Sequence, residues 1–267
     1  MSEAPAPPRA APGAPVLWAR AAAFWLGMAA STVFFSLTGL LTAPLPFRAR
    51  YAWISLWSGF NVAWLRLTCG VRYRVEGAWN LPSGGAVILA KHQSTWETLF
   101  LSWYFRPQAQ VVKRELLRIP FFGWGFALLE PVAIERKAGR HALRQLIEQG
   151  RARLEDGRWV LVFPEGHRMP PGVTGRYHLG GAKLAERTGY PVVPIAHNAG
   201  TFWPRGSFLK YPGTVRVVIG PLIDPKGRSA EGINAEAKRW IEAEVAALEG
   251  RSATPPERDQ GADGLQM

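Results

Sequence analysis

An α/β fold, a sandwich of helices on a largely parallel or mixed sheet with a helical, membrane-anchoring segment in front of it, is the fold class this 267-residue sequence predicts. Two observations carry that expectation. After Gly70 short runs rich in β-branched residues alternate with longer runs of helical period, the pattern of strand-helix units. Before Gly70 lies a stretch, Ala21 to Ala43, with no charged residue. As a helix rising ~1.5 Å per residue it is roughly 35 Å long, enough to cross a bilayer core.

The N-terminal elements come first. Residues 1–20 are expected to be a disordered tail, because their Ala/Pro-rich start, with Pro5, Pro7, Pro8, Pro12 and Pro15, cannot pack. Residues 21–69 read as a two-helix membrane anchor. The apolar run exceeds a typical signal-peptide core. Tyr51–Thr68 follows with Trp53, Trp57 and Trp64 on related helical faces, as suits a membrane–water interface. Basic residues flank both sides (Arg9 and Arg20, Arg48 and Arg50), so a shallow hairpin and a single crossing both remain open.

Residues 70–249 form the expected α/β domain, and 250–267 a second disordered tail. Candidate strands are Arg72–Val75, Ala86–Ala90, Gln110–Lys113, Pro131–Glu135, Trp159–Phe163, Pro191–Ile195 and Thr214–Ile219. Candidate helices are Thr95–Phe105, His141–Glu155, Ala182–Arg187 and Ala230–Glu249. In the helix at 141–155, Ala142, Leu143, Leu146, Ile147 and Leu154 form the apolar side. Asp156-Gly157 turns the chain into the next strand.

Composition narrows the function. The net charge is +12, but the Arg and Lys residues are scattered and no nucleic-acid-binding signature accompanies them, so a nucleic-acid partner is not expected. An anionic membrane surface is the better match for a basic chain with an apolar anchor. Cys69 is the single cysteine, which excludes an internal disulfide and a cysteine metal cluster. His141, His178 and His197 lack metal-ligand spacing, so no metal is expected. Gly123-x-Gly125 has no third glycine and no clear helix start, which argues against a dinucleotide site.

Two constellations carry chemistry. Strand GAVILA delivers Lys91-His92, and Glu97 follows five residues after the histidine. A histidine at a strand end can act as general base, and a carboxylate can fix its tautomer and stabilise the imidazolium. Ser94-x-x-Glu97 is also a capping box, so Glu97 has a purely structural alternative. The second constellation, Phe163-Pro164-Glu165-Gly166-His167-Arg168, follows strand WVLVF. A glutamate, a glycine and an arginine in a tight turn suit a phosphate or a developing oxyanion.

His92-x4-Glu97, Phe163-Pro-Glu-Gly-His-Arg168 and Val193-Pro-Ile-Ala196 resemble, in that order, the first, third and fourth sequence blocks of the glycerolipid acyltransferase family, typified by 1-acylglycerol-3-phosphate acyltransferases. Pro131-Val-Ala-Ile-Glu-Arg136 resembles the second block, and Lys113-x-Glu115-Leu116 lies between them. The family usually has Asp where this chain has Glu97, Thr where it has His167, and an aromatic where it has Ala133. The resemblance implies His92 as the base, oriented by Glu97. It implies Arg136, Glu165, Gly166 and Arg168 as the acceptor-phosphate site, with Glu165 ordering the arginine. It implies acyl-CoA or acyl carrier protein as donor, a lysophospholipid such as lysophosphatidic acid as acceptor, membrane lipids as surroundings, and no cofactor. The implied location is a membrane, the bacterial inner membrane, with the active site facing the cytoplasm. Another lysolipid acceptor, or a non-catalytic membrane adaptor of the same fold, are the alternatives.

Overall fold

The computed structural model describes residues 13–135 and 138–251. Its N-terminal part is a helical hairpin, α1 (Ala14–Leu41) and α2 (Phe47–Cys69). Helix α1 starts within the segment expected to be tail. Pro15 sits in its first turn, where a missing N–H costs nothing and the fixed φ favours the helix. Pro46 stands at the N-cap of α2, and Gly70 ends α2 in a left-handed conformation, φ 71°, as glycine readily does.

The hairpin is antiparallel. Trp53 Nε1 donates to Thr38 Oγ1 at 3.1 Å, Asn61 Nδ2 to Ser31 Oγ at 3.3 Å and Trp64 Nε1 to the Ala23 carbonyl at 3.2 Å. Thus Trp53 and Trp64, expected to face a membrane interface, clip α2 to α1 with their indole N–H groups. Both are half-buried.

Strands β1 (Val71–Glu76), β2 (Val87–Ala90), β3 (Gln108–Lys113), β4 (Val132–Ile134), β5 (Trp159–Val162), β6 (Val192–His197) and β7 (Gly213–Ile219) form one sheet among the described residues. Its order is β1-β7-β6-β2-β5-β3-β4. Only β6 and β7 pair antiparallel, so the sheet is mixed. Central strand β2 is wholly buried on both faces, which is why it reads as an unbroken apolar run.

Successive side chains of a strand alternate between faces, and they build two cores. Ile88, Ala90 and Leu161 pack with α3 (Trp96–Tyr104) and with Phe24, Val62 and Leu65 of the hairpin. Val87, Leu89 and Val160 pack with α5 (Arg140–Glu155), α6 (Gly180–Thr188) and α8 (Ala230–Leu248). The hairpin therefore shares a core with the sheet. At its turn, Arg50 pairs with Glu130 at 2.9 Å, and Glu130 with Arg158 at 3.0 Å.

Two local expectations change. In α5 Leu143 is exposed and Gln145 buried. Gln145 and Gln149 turn inward because their amides serve backbone groups at the edge strand, Gln145 accepting from Glu135 N–H and Gln149 from Ala133 N–H. A short helix, α4 (Phe122–Ala127), occupies the glycine-rich stretch read as having no helix start. There a Cβ on Gly123 would lie 2.4 Å from the Leu117 carbonyl oxygen and one on Gly125 2.9 Å from Ser36 of α1. Those glycines serve close packing. The remaining helix, α7 (Ala199–Phe202), is a single turn.

Candidate active site

Parallel neighbours β2 and β5 deliver the two constellations side by side at their C-terminal ends, the usual ligand-binding end of such sheets. His92 stands two residues after β2 and Glu165 three residues after β5.

The His92 ring stacks on Phe163, centroids 4.1 Å apart and planes at 17°. Its Nδ1 lies 2.9 Å from Glu97 Oε1. With a carboxylate as the partner, Nδ1 carries the proton and donates, which leaves Nε2 with its lone pair. Glu97 Oε1 also accepts from the backbone N–H of Gln93 at 2.8 Å and of Ser94 at 2.7 Å. The capping and orienting roles posed as alternatives thus coexist on one oxygen. Ser94 contributes in turn, its Oγ accepting from Trp96 N–H at 3.2 Å.

Glu97 is completely buried. Burial pushes its carboxyl up, but the His197 and His92 rings and the Ser94 N–H outweigh it, and its pKa lies below the ordinary value. Its second oxygen, Oε2, is buried without a hydrogen-bond partner.

Glu165 differs from expectation. It is fully buried and does not order Arg168. Its Oε2 accepts the His92 backbone N–H at 2.9 Å and its Oε1 the Lys91 amine at 2.7 Å. Desolvation raises its pKa against the opposing pull of Lys91. The inward turn at Phe163–Gly166, with Gly166 at φ 72° and its N–H on the Phe163 carbonyl at 3.0 Å, aims the glutamate at the core. Arg168 is ordered by α3 instead: its Nη1 donates to Thr95 Oγ1 at 2.9 Å. This sets the guanidinium beside the helix start that holds Glu97. Met169 N–H closes the arrangement by donating to the His92 carbonyl at 2.8 Å.

His92, Glu97, Glu165, Gly166 and Arg168 therefore gather at the mouth of α3. Arg136 lies outside the described residues. His167 is exposed.

Sequence reading missed three members. His197, fully buried, sets its Nε2 2.8 Å from the Lys91 carbonyl and accepts Ala199 N–H on Nδ1 at 3.2 Å. Nε2 is thus its protonated nitrogen, the ring is neutral, and burial lowers its pKa. Lys91 is buried to 0% exposure. Gln93, also buried, accepts Gly200 N–H on Oε1 at 3.2 Å. A signal for Lys91 existed in a charged residue directly after an all-apolar strand. For His197 the signal was its place at the end of β6, next to β2.

An apolar cavity of about 180 Å³ opens beside the site. Met28, Phe35 and Trp57 of the hairpin, Leu99 of α3 and Phe126 of α4 line it, and Thr95 stands on its wall. Among the described residues no group of histidine, cysteine and acidic side chains is arranged to hold a metal ion.

Comparison with known proteins places the chain in a family. The Acyltransferase family model matches residues 72–198. The 1-acyl-sn-glycerol-3-phosphate acyltransferase of Pseudomonas aeruginosa is 46% identical over 244 residues, covering 88% of this chain and 95% of that protein. The chloroplastic 1-acyl-sn-glycerol-3-phosphate acyltransferase LPAT1 of Arabidopsis thaliana is 31% identical over 64% of this chain and 48% of its own length. The crystal structure of the LPA acyltransferase PlsC from Thermotoga maritima superposes with a TM-score of 0.73 at 25% identity, over 88% of this chain and 97% of that one. The chain belongs to the acyltransferase family.

Proposed function

We propose that this enzyme moves a fatty acyl group from a thioester of coenzyme A or acyl carrier protein to the free hydroxyl of lysophosphatidic acid, giving phosphatidic acid. The observation that carries the reading is the Nδ1–Glu97 hydrogen bond, which leaves His92 Nε2 basic at the mouth of α3 beside an apolar cavity.

In this mechanism Nε2 takes the proton of the acceptor hydroxyl as its oxygen attacks the thioester carbonyl. Glu97 stabilises the imidazolium so formed. When the tetrahedral adduct collapses, the C–S bond breaks and the imidazolium returns the proton to the leaving thiolate. The products are one ester and one thiol, no acyl-enzyme is required, and no cofactor enters. General base catalysis of this kind contributes roughly 10²–10⁴-fold. Arg168 binds the acceptor phosphate with Gly166 beside it, and Arg136 is assigned to the same phosphate from its place in the second sequence block. Glu165 acts from behind, fixing the His92 backbone. The apolar cavity takes an acyl chain.

The membrane holds both the acceptor lipid and the product lipid. Helix α1 is long and apolar enough to cross a bilayer, yet its inner face is packed on the sheet layer through Phe24, and the hairpin turn is tied to Glu130. Leu26 and Leu41 of α1 and Leu67 of α2, each more than 70% exposed, face outward. This supports a hairpin immersed in one leaflet of the bacterial inner membrane, with the catalytic domain of residues 70–249 on the cytoplasmic side. Acyl chains then stay in lipid, which avoids about 0.8 kcal/mol per CH₂ exposed to water.

Purified protein given lysophosphatidic acid and either acyl-CoA or acyl carrier protein thioester tests the reading. Thiol release matched by phosphatidic acid is expected. Release without lipid product, or no release with either donor, overturns it.

A further inference from the structure

Helix α8 lies wholly outside residues 72–198 that the family model matches. Two carboxylates, one on the helix and one at its C-cap, nevertheless reach both neighbours of His92. Glu242 Oε1 accepts from the Lys91 amine at 2.8 Å and from the Tyr177 hydroxyl at 2.8 Å, and its Oε2 accepts from Thr174 Oγ1 at 2.7 Å. Two helical turns on, at the C-cap of α8, Glu249 Oε1 accepts from Gln93 Nε2 at 2.7 Å. Its Oε2 accepts Gly172 N–H at 2.9 Å and Arg251 Nε at 2.9 Å.

The chain of contacts continues to the reacting residue. Lys91 also donates to Glu165 Oε1 at 2.7 Å and to the Val173 carbonyl at 3.0 Å, while Glu165 Oε2 holds the His92 N–H. The peptide that carries His92 is thus fixed on both sides by groups tied to α8. The segment from Gly172 to Tyr177, which follows the Glu165-Gly-x-Arg168 turn, is fixed by the same two carboxylates.

We propose that Glu242 and Glu249 are positioning residues for acyl transfer, holding the Lys91–Gln93 peptide and the 172–177 segment in register so that His92 Nε2 meets the acceptor hydroxyl. The proposal rests on the reading of His92 as the base.

The physical case is the cost of leaving Lys91 short of partners. A buried amine needs its acceptors satisfied. With Glu242 neutralised, Lys91 leans on Glu165 as its one remaining carboxylate, and a shift of Glu165 toward it loosens the His92 N–H. Loss of Glu249 frees the Gln93 side. Misplacement by about 1 Å far from the chemistry can lower turnover by ~10²-fold. The helix itself does not depend on these contacts for docking. Ile233, Ala237, Ile241 and Val245 bury it against the sheet through apolar contacts of their own.

A role confined to stapling α8 makes a different prediction. It lowers the thermal midpoint and leaves kcat of the folded enzyme unchanged. The experiment uses full-length protein in mixed micelles, assayed well below each variant's midpoint. Glu242→Gln and Glu249→Gln are each expected to lower kcat by roughly 10–100-fold, with KM for both substrates within about threefold of wild type. The double variant should lose less than the product of the two, because both act on one peptide. Glu242→Asp should recover part of the loss. Ile241→Val, which thins the packed side only, should lower the midpoint and keep kcat. Wild-type kcat in the Gln variants, or an effect confined to KM, overturns the proposal. Should Glu242→Gln not fold, Glu249→Gln decides alone. His92→Ala, run in parallel, separates the two claims: wild-type turnover in that variant sinks the base assignment itself.

Discussion

Glu97→Gln keeps the side chain's size and an acceptor oxygen but removes its charge, and the geometry around the carboxylate sets how large the loss should be. An amide oxygen in the Oε1 position can still accept from His92 Nδ1 and from the N–H groups of Gln93 and Ser94. Its NH₂ then occupies the site of Oε2, a buried atom with no partner. An unsatisfied buried donor costs about 1–3 kcal/mol, so the thermal midpoint falls. The larger effect is on the transition state. Histidine and carboxylate sit 2.9 Å apart with the carboxylate fully buried, and a charge pair at about 4 Å near a protein surface is worth roughly 4 kcal/mol in a medium of effective dielectric ~20. Losing most of that attraction to the imidazolium lowers kcat by about 10²–10³. Glu97→Asp keeps the charge and should lose much less. Thiol release gives kcat, and thermal melting separates it from folding. A Gln variant as active as wild type means that Glu97 only caps α3 and that the orienting argument is wrong.

Other expectations are narrower. Arg168→Ala should raise KM for the phosphorylated acceptor about 10–100-fold, the worth of a charge-assisted pair, and leave KM for the thioester nearly unchanged; a change confined to the thioester moves Arg168 to the donor side. Phe24→Ala should destabilise the whole protein by about 3–5 kcal/mol, because this hairpin residue is fully buried against Trp203; an unchanged midpoint means that the hairpin is not part of the core. Stability should fall as pH drops below 6.5, since burial holds the folded-state pKa of His197 below that value. In that window the unfolded chain binds a proton that the folded one does not. Melting at pH 7.5 and 5.5 should show a shallower pH slope in His197→Gln than in wild type, and equal slopes refute the assignment.

Much of the fold was legible because burial on both faces writes itself into sequence. Val87–Ala90 and residues 192–196 are apolar runs that each follow a glycine-containing turn, and both lie in strands. The start of α1 is less legible, because Arg20 interrupts the apolar run while the helix already begins at Ala14, with Pro15 in its first turn. Helix α4 was invisible because its glycines serve contacts with Leu117 and Ser36, partners that only the fold reveals. The site shows the same division. His92 and Glu97 are five residues apart, so local geometry announces them. The Lys91–Glu165 and Lys91–Glu242 pairs join residues 74 and 151 positions apart, and no local pattern marks such pairs. Glu165 and Arg168 are close in sequence, yet the glutamate bonds Lys91 and the His92 N–H while the arginine bonds Thr95.

The central claim is that His92 is the base, and its most direct measurement is single-turnover acyl transfer by purified, folded His92→Ala in mixed micelles. The account predicts a loss of about 10²–10⁴-fold in the chemical step, with a wild-type melting profile and undiminished micelle association. A folded variant that retains more than about a tenth of wild-type rate contradicts it, because an enzyme deprived of its only proton acceptor at that position cannot lose so little.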